Sequence, residues 1–478
     1  MFSDYHDKKA LTGGLAGHMA GIPIPFPIDL IGTVAMLRNQ LPALVWLDGE
    51  AGGRYSIIAA APREQLVSDA NGTWCYESGA KAGRFLGSDD PLALLQSRLD
   101  THRDNRPAGV DATPPFAGGA IGYFGYELGR RLQGQPVSDS LGPDMAVGLY
   151  DWALVVDHYA ECAWLGGLPP RNVVDWLSQR RTAQPSAWAP QSGVTAAPDL
   201  AAYTQAFNRV MHYLREGDCY QINLTRRFQA AFQGDPLAVY ADFRQRTGGP
   251  FAGYLEIHGG PILSGSPERF LQLRDGVVET RPIKGTRARL ADPVADAAAQ
   301  AALLSSPKDR AENTMIVDLL RNDLGRGCLT GSVSVPQLHA LETFATVHHM
   351  VSVVTGRLKP HYSATDLLRD ALPGGSITGA PKLRAMEIID ELEASPRGVY
   401  CGAMGYIGWD GAMDTNIAIR TMTARDGYLD YRAGGGVVID SDCQDEFNET
   451  ESKAAAFRSL IESQSARIDK AVEEQSVP

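Results

Sequence analysis

Cysteine is scarce and unpaired in this sequence: Cys75, Cys162, Cys219, Cys328, Cys401 and Cys443 are scattered, with no CxxC spacing. That excludes a disulfide framework and a zinc ribbon and fits reduced thiols in the cytoplasm, where we expect the protein. Long hydrophobic runs are missing too. Nothing approaches the ~20 apolar residues of a membrane span, and the polar, charged stretch Met1 to Ala10 does not read as a signal peptide. Basic residues are in deficit, 44 Lys and Arg against 56 Asp and Glu, giving a net charge of −12. Nucleic acid is therefore not the default partner, and an anionic ligand must meet local cations. Neither a GxxxxGK[ST] loop nor a strand-linked GxGxxG is present, so nucleotide binding is unsupported.

What remains is an ordinary soluble composition, 44% hydrophobic and 21% charged, over 478 residues, long enough for two subdomains or one large two-lobed body. Residues 1–180 alternate short apolar runs such as Ala43 to Leu47 and Ser56 to Ala59 with turns, the texture of a β-rich lobe. Residues 181–198, rich in Ala, Pro, Ser and Gln, read as a linker. The region 199–462 mixes helices and strands, and 463–478 is a polar tail expected to fray. Asp199 as N-cap, Tyr203, Phe207, Val210 and Leu214 at helical spacing and Gly217 as stop define one helix. A strand from Cys219 to Phe228 follows, with Gln221 and Asn223 on one face. Ser306-Pro307-Lys308-Asp309 opens a second helix, running to about Arg326. A third begins after Pro381, with Leu383, Met386, Ile389 and Leu392 as its apolar set. A fourth spans Asp440 to Ile461, with Phe447, Thr450, Ala454, Phe457 and Ile461 inward and Glu446, Glu449 and Lys453 on the adjacent stripe.

Several groups carry possible chemistry. Lys284, in the turn-like Arg281-Pro282-Ile283-Lys284-Gly285-Thr286, becomes a nucleophile if burial or a neighbouring cation keeps its amine neutral, and is otherwise a solvated charge. Paired carboxylates at i,i+3 on two helices, Asp309 with Glu312 and Glu446 with Glu449, suit an oxygen-coordinated divalent cation or simply two solvated faces. The glycine clusters Gly374-Gly375 and Gly434-Gly435-Gly436 allow close approach to an anion or serve plain turns. In the strand-like Ala345 to Val354 one of His348 and His349 should point inward. Arg420 suits a bidentate carboxylate clamp or a structural ion pair.

In order along the chain, Tyr220 to Leu224, Ser266 to Phe270, Arg281 to Thr286, Ala311 to Asn313, Asn322 to Arg326, Val347 to Ser352, Pro373 to Glu391, Gly402 to Tyr406 and Ala433 to Lys453 resemble the chorismate-utilising enzymes, over most of residues 200–462. The resemblance implies a mixed α+β, two-lobed body of large, mainly antiparallel sheets surrounded by helices, as in component I of anthranilate synthase. Pro-Ile-Lys-Gly-Thr at Pro282 to Thr286, where anthranilate-forming members usually carry Pro-Ile-Ala-Gly-Thr, resembles the branch that forms aminodeoxychorismate. Anthranilate formation and a catalytically silent, chorismate-binding paralogue are the rival readings.

The resemblance assigns the parts as follows. Lys284 attacks C2 of chorismate while the C4 hydroxyl departs, Glu268 protonates that leaving group and His349 stabilises that end of the ring. Gln221, Ser376, Tyr400, Arg420, Gly434, Gly435, Gly436 and Lys453 bind the substrate, and Glu312, Glu446 and Glu449 hold Mg2+. No GxCxG segment with a following His-x-Glu is present, so ammonia is expected from solution or from a separate glutamine amidotransferase subunit in a heterodimer. A separate lyase would remove pyruvate on the way to 4-aminobenzoate and folate. Leu47-Asp48-Gly49-Glu50 stands where the family's serine-containing tryptophan motif lies, which speaks against bound tryptophan there.

Overall fold

Two large antiparallel sheets organise the chain in this computed structural model, which describes residues 21–475 apart from 79, 81, 105–114, 138–140 and 345–346. The reading of Met1 to Ala10 lies outside the described residues. The first sheet has 13 strands and the second 12. In the first, Val45–Asp48, Tyr55–Ala59 and Trp152–Asp157 from the early chain continue through Ala252–Leu255 and Ile262–Ser264 to Thr421–Arg425, Tyr428–Val437 and Gln221–Gly234. The second runs from Ile283–Ala288 and Val347–Arg357 through Arg269–Arg274, Met413–Ile417 and Ala403–Gly408 to Gly119–Phe124, Met145–Tyr150 and Glu64–Asp69. Strands from before residue 180 and after residue 199 thus share both sheets. Within 181–198, the segment read as a linker, Trp188–Pro190 and Thr195–Ala197 pair with Gln221–Gly234.

Side-chain alternation explains why many strands read as unbroken apolar runs. In Trp152–Asp157, Ala153 and Val155 belong to the core between the sheets, while Leu154 and Val156 face the helices outside the first sheet. In the second sheet Ile121, Ala146 and Met404 join that central core, while Ala120, Met145 and Ala403 face its own outer helices. The result is helices, sheet, sheet, helices, and a strand with both faces covered has no reason to carry a polar side.

The expected helices form with the expected signals. Leu200–Glu216 is capped by Asp199, whose carboxylate accepts from Ala202 N, and ends at Gly217 with φ +81°. Pro307–Gly327 starts at Ser306, whose hydroxyl accepts from Asp309 N. Two details differ. In Lys382–Leu392 the buried set is Ala385, Met386, Ile388 and Ile389, and Leu383, in the first turn, is 45% exposed. The stretch read as a polar tail continues the last helix, which spans Cys443–Gln475, and Gln464 and Arg467 reach Trp188 and Asp242.

Candidate active site

Lys284 sits on an edge strand, not in a turn. In Ile283–Ala288, Ile283 pairs with Val351 and Thr286 with His349, so Lys284 and Gly285 together oppose the single residue between them. This is a β-bulge, which re-aims a side chain out of the regular pleat. Gly285 has φ +80°, and a Cβ there would lie 2.8 Å from Leu303, so the bulge requires glycine beside the lysine.

Burial lowers the Lys284 pKa; Lys453 lowers it further, while Glu312, Glu268 and Glu449 hold it up. Glu268 has the opposite response. Burial pushes its carboxyl up to about 7, against the pull of Lys284, the Ser376 hydroxyl and Lys453. Glu312 is raised by burial, and Asp309 and Glu449 add to that. In Glu449 burial is outweighed by Lys453, 2.6 Å away, and by Lys284 and Lys308, so its pKa falls. These groups come from a strand, a loop and two helices, and the charges of the lysines and carboxylates act on one another, so the fold brings them near each other.

The sheet supplies the floor. Asn223 lies opposite Gly436 and Thr225 opposite Gly434 in the ladder between Gln221–Gly234 and Tyr428–Val437. A Cβ on Gly436 would come 2.7 Å from Nε2 of Gln221, and one on Gly435 would come 2.8 Å from Oε2 of Glu446. The glycines therefore admit a side chain from each side. Gln221 is fully buried with neither amide atom hydrogen-bonded, and Oε2 of Glu446 is likewise buried without a partner. Such groups are costly unless a ligand completes them. Glu446 Oε1 accepts from Ser441 at 2.7 Å, and Lys453 Nζ donates to Gly434 O at 2.8 Å.

The histidines are both buried, in place of the single inward one expected, because the helices Pro293–Ser305 and Pro307–Gly327 both pack on their strand. His349 Nδ1 is hydrogen-bonded to Thr286 Oγ1 at 2.8 Å, and burial, helped by Arg420 and His348, brings its pKa down to about 4. It is a neutral imidazole at physiological pH. His348, on the other face, is held by Asp296 at 2.8 Å and Thr343 at 2.9 Å and is structural. Arg420 is half-buried in the loop after Met413–Ile417, and among the described residues no carboxylate pairs with it, which leaves its guanidinium free for a ligand.

Ser376, assigned to substrate contact, donates to Oε1 of Glu268 at 2.9 Å. Tyr400 is buried, and burial raises its pKa well above the usual phenol range. It lies on the loop after Arg397, its backbone N–H donating to Arg397 O at 3.2 Å. Arg397 itself was missed from the sequence. Its guanidinium pairs with Glu393 at 2.7 Å, donates to the carbonyls of Asn223 at 2.8 Å and Ile377 at 2.9 Å, and stacks 4.7 Å from the Tyr126 ring. One arginine thus ties the Ser376 turn to the Gln221 strand; its only sequence signal was the i,i+4 spacing from Glu393.

For a divalent cation, the donors on offer are the hard oxygens of Glu312, Glu446 and Glu449, with Oε2 of Glu446 unpartnered beside the space opened by Gly435. Among the described residues no group of three or more His, Cys, Asp or Glu side chains stands close enough together to hold a metal ion by itself. Hard carboxylate oxygens are the donor type that Mg2+ takes when substrate and water complete its coordination.

The fold and this cluster define a class: the chain belongs to the chorismate binding enzymes, whose family model matches residues 42–459. It is similar to aminodeoxychorismate synthase component 1 of Klebsiella aerogenes, with 46% identity over 417 residues covering 86% of this chain and 91% of that one. The protein of the same name from Salmonella typhimurium is 46% identical over 87% of this chain and 92% of its own length. In three dimensions the chain is similar to anthranilate synthase component I from Streptococcus pneumoniae, with TM-score 0.70 and 30% identity over 84% of this chain and 92% of that structure. The expected mixed, mainly antiparallel architecture is thereby borne out.

Proposed function

We propose that the protein is component 1 of an aminodeoxychorismate synthase, converting chorismate and ammonia to 4-amino-4-deoxychorismate and water. The observation that carries this reading is Lys284, displaced toward its neutral form by burial and facing Glu268, a buried acid poised near 7. A neutral amine supplies the lone pair, and an acid with pKa near the working pH both holds and gives up its proton.

Lys284 Nζ bonds to C2 as the C4–O bond breaks, and the proton on Glu268 leaves with that oxygen as water. Ammonia then bonds to C4 while the C2–N bond breaks, returning the electron pair to Lys284; the Glu268 carboxylate takes the surplus ammonium proton. His349, neutral and oriented by Thr286, accompanies the ring at that end. Gln221 presents an uncharged amide, unsuited to activating water as a base. Arg420 and Lys453 meet the substrate carboxylates and answer the acidity of the whole chain. Glu312, Glu446 and Glu449 would hold Mg2+, which supplies positive charge to the ring carboxylate when bound.

The name component 1 shared by the relatives supports a separate second component, and we assign it the supply of ammonia from glutamine. The protein works in the cytoplasm, in the route to 4-aminobenzoate and folate, with a separate lyase releasing pyruvate. Anthranilate formation is the second reading, favoured by the structural likeness and by anthranilate synthase relatives at 37% identity, below the 46% of the aminodeoxychorismate synthase relatives. Incubating the purified protein with chorismate, Mg2+ and ammonium, with mass spectrometry of the product and a parallel pyruvate assay, separates the two. Aminodeoxychorismate without pyruvate is expected; anthranilate with pyruvate overturns the proposal.

A further inference from the structure

The short turn Gly375–Ile377 brings a hydroxyl to a buried acid, and the backbones of both groups are tied down. Glu268 is held through its backbone: Ile417 N donates to Glu268 O at 3.0 Å, and Glu268 N donates to Ser266 Oγ at 3.3 Å. Ser266 Oγ in turn donates to Ile417 O at 2.6 Å. The turn is wedged on its own side, since a Cβ on Gly374 would lie 2.7 Å from Ile417 Cδ1 and one on Gly375 2.5 Å from Leu319 Cδ2. Arg397 holds Ile377 O, and Thr378 Oγ1 donates to Gly374 O at 3.0 Å. Between these fixed segments, Ser376 Oγ donates to Oε1 of Glu268 at 2.9 Å, both side chains being buried.

We propose that Ser376 is a positioning residue for proton transfer: its hydroxyl engages Oε1 of Glu268, so the transferable proton resides on Oε2, and the same bond stabilises the carboxylate left behind. The inference rests on the reading of Glu268 as general acid. In that step the Oε2–H bond breaks, the proton bonds to the departing C4 oxygen, which leaves as water, and the electron pair stays on Glu268. The charge spreads onto Oε1, where the serine hydrogen already lies, so no reorientation is needed as it develops. The other charged groups facing Glu268 are Lys284, from its edge strand, and Lys453, from the last helix. Both favour the carboxylate through their charge, whereas the serine hydrogen bond is made to Oε1.

A hydrogen bond to the charged form lowers an acid's pKa, so removing the hydroxyl raises it. Glu268 works protonated, and the limb of the pH profile that reports its ionisation therefore moves to higher pH. The test compares S376A and S376T with wild type in two assays. One is the pH dependence of kcat with chorismate, Mg2+ and ammonium. The other is an infrared titration of the buried carboxylic acid, its C=O band assigned by loss in E268Q. In S376A the band and the alkaline limb are expected to move up by about one pH unit and kcat to fall about tenfold, while S376T keeps both near wild type. A band that titrates in S376A where it does in wild type overturns the proposal. So does a rise in KM alone, which would make Ser376 a substrate contact only. Movement of the band in an enzyme that forms no aminodeoxychorismate overturns the reaction reading and, with it, the proton-transfer role.

Discussion

Glu268→Gln should stabilise the fold while ending turnover, because the site holds an acid where the folded state disfavours its charge. Burial lifts the carboxyl from an ordinary 4.5 to about 7. A rise of about 2.5, at about 1.4 kcal/mol for each factor of ten, corresponds to about 3 kcal/mol. The sign follows from proton counting. Between pH 4.5 and about 7 the folded protein keeps a proton that the unfolded chain has released, so stability falls as pH rises through that window. Above it the deficit is complete; below it there is none. Glutamine has no proton to lose, and its amide oxygen still accepts from Ser376. The variant should exceed wild type by up to about 3 kcal/mol near pH 8, with the advantage fading toward zero at about pH 4.5. Urea unfolding of both proteins across this pH range measures it, with product formation followed in parallel. Equal stability near pH 8, or an offset that does not vary with pH, would refute the burial argument.

Lys284→Met should abolish both turnover and any covalent adduct seen by intact-protein mass spectrometry while Mg2+-dependent chorismate binding persists; wild-type turnover would sink the nucleophile. Glu449→Gln removes a charge that faces Glu312, Glu446 and Lys453, and titration calorimetry should find Mg2+ and chorismate affinity weakened together by tenfold or more, a typical cost of about 1–3 kcal/mol for a lost charged contact. Unchanged Mg2+ dependence would move the metal elsewhere. Arg397→Ala strips the buried Glu393 of its nearest cation, leaving Thr225 and, at 3.9 Å, Arg432, and about 3 kcal/mol of stability is the expected loss in denaturant unfolding; a loss under about 1 kcal/mol would show that the tie between the Ser376 turn and the Gln221 strand is dispensable.

Local signals were legible wherever the physics is local. Asp199, Ser306 and Gly217 marked helix ends because capping is settled by residues within one turn, and the Phe447 to Ile461 stripe was readable because helical periodicity repeats at short range. Leu383 was misjudged because periodicity alone does not say where the buried stripe of a short helix begins. The helical continuation after Glu462 was not legible because its contacts, with Trp188 and Asp242, lie far away in the sequence.

The same division runs through the site. The sequence by itself determined which groups are available: one lysine beside a glycine, carboxylates in i,i+3 pairs, neighbouring histidines and a triple glycine. Only the tertiary structure decided their states. The bulge that aims Lys284 needs a partner strand more than 60 residues away, and a carboxyl titrating near 7 needs the burial that two packed sheets and their helices provide. His348 and His349 are chemically identical in the sequence and part company only because alternation sets one against Asp296 and the other beside Arg420. Charge and hydrogen-bonding capacity belong to the residue; pKa and orientation belong to its surroundings, and folding alone assembles those.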